Sequence, residues 1–179
     1  VFSHHSGGDK VQSVRWHNTE ESLLASGSIG PSHQAAITDV RAPPGSATLR
    51  FPLPADVEQV HWLNDQLLLV ASEDGTVRCI DILKASSAST ADKNKPSPSF
   101  LWTLGAHDGP CSGVTTSFPA ELNGQCLMAT ISPTKTSPLK LWTLNPSAKG
   151  PSCIFSRTSY LVLPLRNSIF ASLLIFTLF

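Results

Sequence analysis

The chain has no excess of either charge: its 179 residues hold 13 Lys and Arg against 13 Asp and Glu. A balanced chain projects no basic field toward a phosphate backbone and carries no acidic solvating tail, so it shows no direct nucleic-acid signature. Cysteine is sparse as well. Its 4 cysteines (Cys79, Cys111, Cys126, Cys153) form no C-x-x-C pair and have no His at finger spacing, which excludes a zinc finger and a redox dithiol. They read as buried thiols of a reducing compartment. Missing too are the G-x-x-x-x-G-K-[ST] phosphate cradle, a G-x-G-x-x-G opening a helix, and the G-x-S-x-G elbow, of which Ser26-Gly27-Ser28-Ile29-Gly30 is only a partial likeness at the end of a strand. No cofactor is expected. The apolar run at 169–179 falls short of the roughly 20 residues a membrane-crossing helix needs. Its flank is broken by Pro164, Arg166 and Asn167, and the opening residues have no charged-then-apolar signal, so neither a membrane partner nor a secretory signal is expected.

What the chain does have is a unit that recurs three times. The first copy reads VQSVRW at 11–16, LLASGS at 23–28 and AITDV at 36–40; the second reads VEQVHW at 57–62, LLLVASEDG at 67–75 and VRCIDI at 77–82. The third reads SGVTTS at 112–117, CLMAT at 126–130 and LKLWTL at 139–144. Alternation of period two marks half-buried strands, whereas the continuously apolar 67–71 suits a strand covered on both faces. Glu73-Asp74-Gly75-Thr76 is hairpin chemistry, because Gly tolerates positive φ and Asp bonds its local backbone. Outer strands are expected at 49–51 and 100–104. The segment 84–99, rich in Ser, Ala, Lys and Pro, has no large side chain to bury after its first residues and is expected to be a mobile loop. A repeat of about 40 to 45 residues fits a four-stranded propeller blade.

The residues resemble the WD40 repeat family. Ala106-His107-Asp108-Gly109 is similar to its Gly-His signature with Ala for Gly, 139–143 (LKLWT) to its Leu-Trp-Asp signature with Thr for Asp, and 72–78 (SEDGTVR) to its strand–turn–strand centre. More narrowly, 9–14 (DKVQSV), 55–58 (ADVE), 73–78 (EDGTVR), 97–100 (SPSF) with 106–108 (AHD), and 151–154 (PSCI) look like the periodic tryptophan protein 1 branch, particularly its plant members. The resemblance implies an all-β fold: a partial WD40-type β-propeller of about three blades, open and incomplete. Its blades would be 1–53, 54–104, and 105–157, the last including the start of a further one, followed by a non-family apolar tail at 158–179. Three blades cannot close a ring, so the chain is expected to be a fragment or a truncated product.

The resemblance also implies structural motif positions at His5, Asp39, Ser72, Asp74, Asp81, His107, Thr130 and Trp142. WD blades are commonly tied by a His, a turn Asp, a strand Ser or Thr and a Trp, and no repeat here has all four. The first has His5 but no turn Asp and Thr38 in place of Trp; the second has Ser72 and Asp74 but Ile80; the third has His107, Thr130 and Trp142 but a turn at 132–138 without Asp. The implied role is a protein-interaction scaffold of the nucleus and nucleolus, with ribosome-assembly or chromatin factors as partners in ribosome biogenesis, rRNA processing and transcription.

Catalysis is the competing class. Cys111 near His107, or a Ser/His pair, could serve a hydrolase. A structural His with a packed thiol beside it is the simpler reading. Adjacent His4 and His5 on an extended strand point to opposite sides, which is poor metal geometry. Asp39 and Asp81 end third strands and read as turn caps. Trp16, Trp62, Trp102 and Trp142 recur with the repeats and read as core anchors, one or two of them available to a partner at the rim.

Overall fold

The computed structural model describes residues 9–43, 48–88, 100–117, 126–144 and 150–157. His5, residues 158–179 and most of the expected 84–99 loop lie outside the described residues. Within them the chain is all-β apart from one short helix. The first sheet joins β1 (Lys10–Trp16), β2 (Leu23–Ile29), β3 (Gln34–Asp39) and β4 (Thr48–Pro52) in that order. The second joins β5 (Val57–Trp62), β6 (Leu67–Ser72), β7 (Thr76–Asp81) and β8 (Phe100–Gly105), and the third joins β9 (Gly113–Thr116), β10 (Cys126–Ile131), β11 (Leu139–Leu144) and β12 (Ser152–Arg157). All neighbours are antiparallel, so each sheet is a simple meander, and the described residues form no closed barrel. Residues 152–157, read from the sequence as running into a next repeat, pair with β11 as the fourth strand of the third sheet.

The register shows how closely the sheets repeat. Val11 lies opposite Ser28 and Val57 opposite Ser72, and each pairing is followed by an irregularity before Ser13 and Gln59 respectively. Val14 and Trp16 then correspond to Val60 and Trp62. Ser13 Oγ accepts the Val60 N–H at 3.1 Å, and Gln59 Oε1 accepts the Val114 N–H at 2.8 Å. The same inter-sheet bond therefore recurs at the same strand position, which aligns Val14, Val60 and Val114. Trp62 Nε1 adds a bond to the Arg15 carbonyl at 3.3 Å, and His61 Nε2 pairs with Thr116 Oγ1 at 2.9 Å.

The apolar core lies between the sheets. Ala25, Ala35, Ile37, Phe51 and Leu53 of the first sheet and its exit pack on Val57, Val60, Trp62, Leu68, Val70 and Ile80 of the second. Leu69, Ala71, Val77, Cys79 and Ala106 pack in turn on Val114, Met128, Trp142 and Leu144 of the third. One face of β6 thus looks back and the other forward, and this double burial explains its continuous apolar run. Gly27 permits the first of these contacts, since a Cβ there would collide with the Val57 side chain.

One expectation needs correction. The loop expected from 84 begins instead as helix α1 (Ile82–Ala88). Asp81 Oδ1 accepts the N–H groups of Leu83 and Lys84, satisfying two of the donors that a helix start leaves open, while Ile82 and Ala85 pack on the core. Large side chains were the wrong measure there, because a cap and small helix formers suffice. The four tryptophans are also not alike: Trp62 and Trp142 are buried, at 3% and 5% exposure, Trp102 is half-buried, and Trp16 is 57% exposed.

Candidate functional site

Where the second and third sheets meet, three side chains from separate elements converge. His107 follows β8, Thr130 lies on β10 and Trp142 on β11. The Thr130 hydroxyl accepts the Trp142 indole N–H at 2.9 Å and shares a hydrogen with His107 Nε2 at 2.8 Å, the ring tautomer setting which of the two donates. Thr130 is fully buried and Trp142 and His107 nearly so. The turn at 132–138 brings no carboxylate, and His107 Nδ1 is buried with no hydrogen bond closing on it. Burial and then the Lys140 ammonium push the ring below its ordinary pKa, opposed by the backbone of Ser137 and Thr130 and by the Asp108 carboxylate. Lys140 Nζ itself donates to the Ala106 carbonyl at 2.7 Å and sits 5.9 Å over the Trp142 ring.

The second sheet carries a different polar cluster, on the face it turns to the first sheet. Arg78 Nη2 meets Asp74 Oδ2 at 2.6 Å, Arg78 Nη1 donates to Ser72 Oγ at 3.3 Å, and the guanidinium lies 5.7 Å over the Phe100 ring. Burial would raise the Asp74 carboxyl, but hydrogen bonds from Arg78 and Thr76 outweigh it and hold it below its usual range. Ser72 and Asp74 therefore serve Arg78 rather than a His–Trp pair. Register explains the difference: Thr130 lies opposite Val114, whose counterpart Val60 lies opposite Val70, so Val70 holds the place of Thr130 and Ser72 is two residues further along. Gly75, at φ 79, turns the hairpin, and its carbonyl accepts the N–H groups of both Ala106 and His107 at 3.0 Å. A Cβ on Gly75 would collide with the His107 carbonyl.

Asp39 and Asp81 lie away from this junction. Asp39 binds the Arg41 guanidinium and backbone N–H on the exposed surface, and Asp81 caps α1 and pairs with Lys84 at 3.3 Å. Arg78, Lys140, Gln59 and His17 join these contacts without being among the expected motif positions. Arg78 had a usable signal, its place just across the hairpin from Asp74. His17 had none: its Nε2 donates to the Asp65 carbonyl at 3.0 Å, its Nδ1 accepts the Glu20 N–H, and its ring meets the edge of Trp62 at 4.5 Å, a tie visible only in three dimensions.

Burial pushes the Cys111 thiol up to about 12, and its Sγ donates to the Gly113 carbonyl at 3.6 Å, whereas a nucleophilic thiolate needs the opposite shift. Cys79 is likewise pushed up to about 12 by burial. His107 spends Nε2 on Thr130 and not on a thiol. Among the described residues no group of three or more His, Cys, Asp and Glu stands close enough to hold a metal ion, and no helix is long and apolar enough to cross a membrane. A hollow of about 190 Å³ lies where β1 and β5 meet, among Arg15, Gln59, His61 and Trp62, below the roughly 300 Å³ of ordinary ligand pockets. Another, of about 460 Å³, sets Glu20 and Glu21 near Arg41, Thr19 and Ser22.

No family model matches the chain, and no curated protein matches it. Among solved structures it is similar to the computationally designed Ika8 protein, with 13% identity and a TM-score of 0.55 over 84% of this chain and 37% of that one. At that identity the likeness speaks for the fold alone. The chain spans little more than a third of that structure.

Two outcomes are expected. Thr130→Val keeps the shape but strands the Trp142 indole N–H and leaves His107 Nε2 without its partner, so it should cost about 1–3 kcal/mol in urea unfolding; a change indistinguishable from zero would show that the chain of bonds is incidental. Acid should act through histidine first. His61 is lowered by burial and then by Arg15 to about 4 from an ordinary 6.5, and His107 is lowered too, so the unfolded chain takes up these protons before the folded one. Their contribution is complete above pH 6.5 and is lost as the pH falls through each lowered value, about 4 for His61. The carboxyls of Asp39, Asp74 and Asp81, held below 3.8, lose theirs only under stronger acid, and Glu58, raised by burial, opposes the loss near the bottom of the window. The urea midpoint should fall on acidification across that window, and a His61→Gln, His107→Gln double variant should flatten the fall; an unchanged slope would assign it to other groups.

Proposed function

We propose that the three sheets are blades of a WD40-type β-propeller and that the chain works as a protein-interaction scaffold rather than an enzyme. The observation that carries this reading is the recurrence of one four-stranded meander, stacked each time through its first strand by the same side-chain-to-backbone bond. Stacked sheets of this kind present loops along their rims, where an extended partner has a surface to bind. The His107–Thr130–Trp142 chain is in keeping with the WD resemblance, and the raised Cys111 thiol counts against the hydrolase alternative.

The partner class follows from the resemblance to the periodic tryptophan protein 1 branch: ribosome-assembly or chromatin factors in the nucleus and nucleolus, with ribosome biogenesis and rRNA processing as the process served. The chain binds these as proteins, without a cofactor and without a basic surface for nucleic acid. Affinity capture from nuclear extract, with mass spectrometry of what is retained, tests it. Ribosome-assembly or chromatin factors should be enriched, lost with Leu69→Ala, which empties the core between the second and third sheets at a cost of about 2–5 kcal/mol, and kept with Cys111→Ser. Loss of function on Cys111→Ser in a folded protein, together with thiol-sensitive hydrolysis, would establish the enzyme reading instead.

A further inference from the structure

We infer that the exposed face of β1 is a docking surface for the third sheet of a second copy of this chain, joined head to tail. The internal repeat supplies the argument. Val57 and Val60 are 0% exposed and Trp62 3%, because the first sheet covers them; their counterparts Val11, Val14 and Trp16 are 51%, 47% and 57% exposed. At the corresponding position of the third sheet, Cys111 is 0% and Val114 3% exposed beneath the second. The same strand face is therefore dry twice and wet once, and the wet copy has the same valines and the same tryptophan as the dry one.

What covers it is equally defined. The covering face is built from opposed pairs: Ala25 with Ile37 and Gly27 with Ala35 in the first sheet, Leu69 with Cys79 and Ala71 with Val77 in the second. In the third sheet the matching pairs are Ala129 with Leu141 and Ile131 with Leu139, apolar like the others, and Ile131, Leu139 and Leu141 remain half-buried instead of buried. One end of the molecule thus carries a strip and the other end the kind of face that buries such a strip inside the same molecule. Two such different surfaces make a heterologous contact, which closes into a ring or extends according to the rotation per copy. This surface is separate from the rim at which the proposed scaffold would hold other proteins.

Sedimentation velocity on the full chain from micromolar to submillimolar concentration tests the inference. The chain should associate, and Val14→Glu on β1 and Leu141→Glu on the third sheet should each be monomeric alone. Mixed, the two should form a one-to-one heterodimer, since each retains one intact face. Added to the unaltered chain, Val14→Glu should cap its assemblies and reduce their size, which gives a readout even if Leu141→Glu does not fold. An unaltered chain that stays monomeric throughout, whether Trp16 is then open to a quencher or shielded by the chain's own residues, would overturn the inference. So would assembly that survives Val14→Glu, a mixture that stays monomeric, or a failure of Val14→Glu to cap.

Discussion

The face of β5 that carries Val57, Val60 and Trp62 can be buried only by a neighbouring sheet, because β5 is the edge strand of its own. A lone four-stranded meander has two faces and no means of covering either, and burial of each valine is worth about 1.5–3 kcal/mol. The rest of the structure follows from meeting that need in series. The first sheet must present small or flat residues where β5 arrives, hence Gly27, Ala25 and Ala35. The second must be apolar on both faces, hence 67–71. Since each first strand lies against the sheet before it, its outward backbone N–H groups need acceptors from that sheet, and Ser13 and Gln59 provide them.

Polar chemistry at the junctions adapts to this stacking and does not drive it. At one junction Thr130 links an indole and an imidazole; in the second sheet Arg78 gathers Asp74, Ser72 and the Phe100 ring; in the first, Ser28 exchanges hydrogen bonds with the backbone of Gln34. Three different clusters at the sheet junctions mean that what is required is a hydrogen-bonded buried polar group, not one set of residues. Three buried side-chain atoms depart from this: Ser22 Oγ, Gln34 Nε2 and His107 Nδ1 have no hydrogen bond, the last where the turn supplies no acid.

Strand positions were legible because the repeats keep a two-residue period between turns, and because VQSVRW and VEQVHW share Val, Val and Trp at the same three places. The buried state of the thiols at 79, 111 and 126 was legible from composition. Two kinds of feature were not. The contrast between Trp16 and Trp62 depends on what lies beside each strand, and the shared Val, Val and Trp cannot encode that. The register of the second and third sheets was not legible either: their hairpins differ in length, and the strand pairing puts Val70, with Ser72 two residues further along, at the place of Thr130. Helix α1 escaped notice because its start is set by one carboxylate, Asp81, and not by a periodic pattern.

The central claim is that the sheets are joined through equivalent first-strand positions, and amide hydrogen exchange measures it directly. In dilute solution, where copies are apart, the Val60 and Val114 amides, each bonded to a side chain of the preceding sheet, should exchange slowly, while the equivalent Val14 amide should exchange fast. Equal rates at the three positions, or fast exchange at Val60 and Val114 in a folded chain, would contradict the stacking from which everything else here is derived.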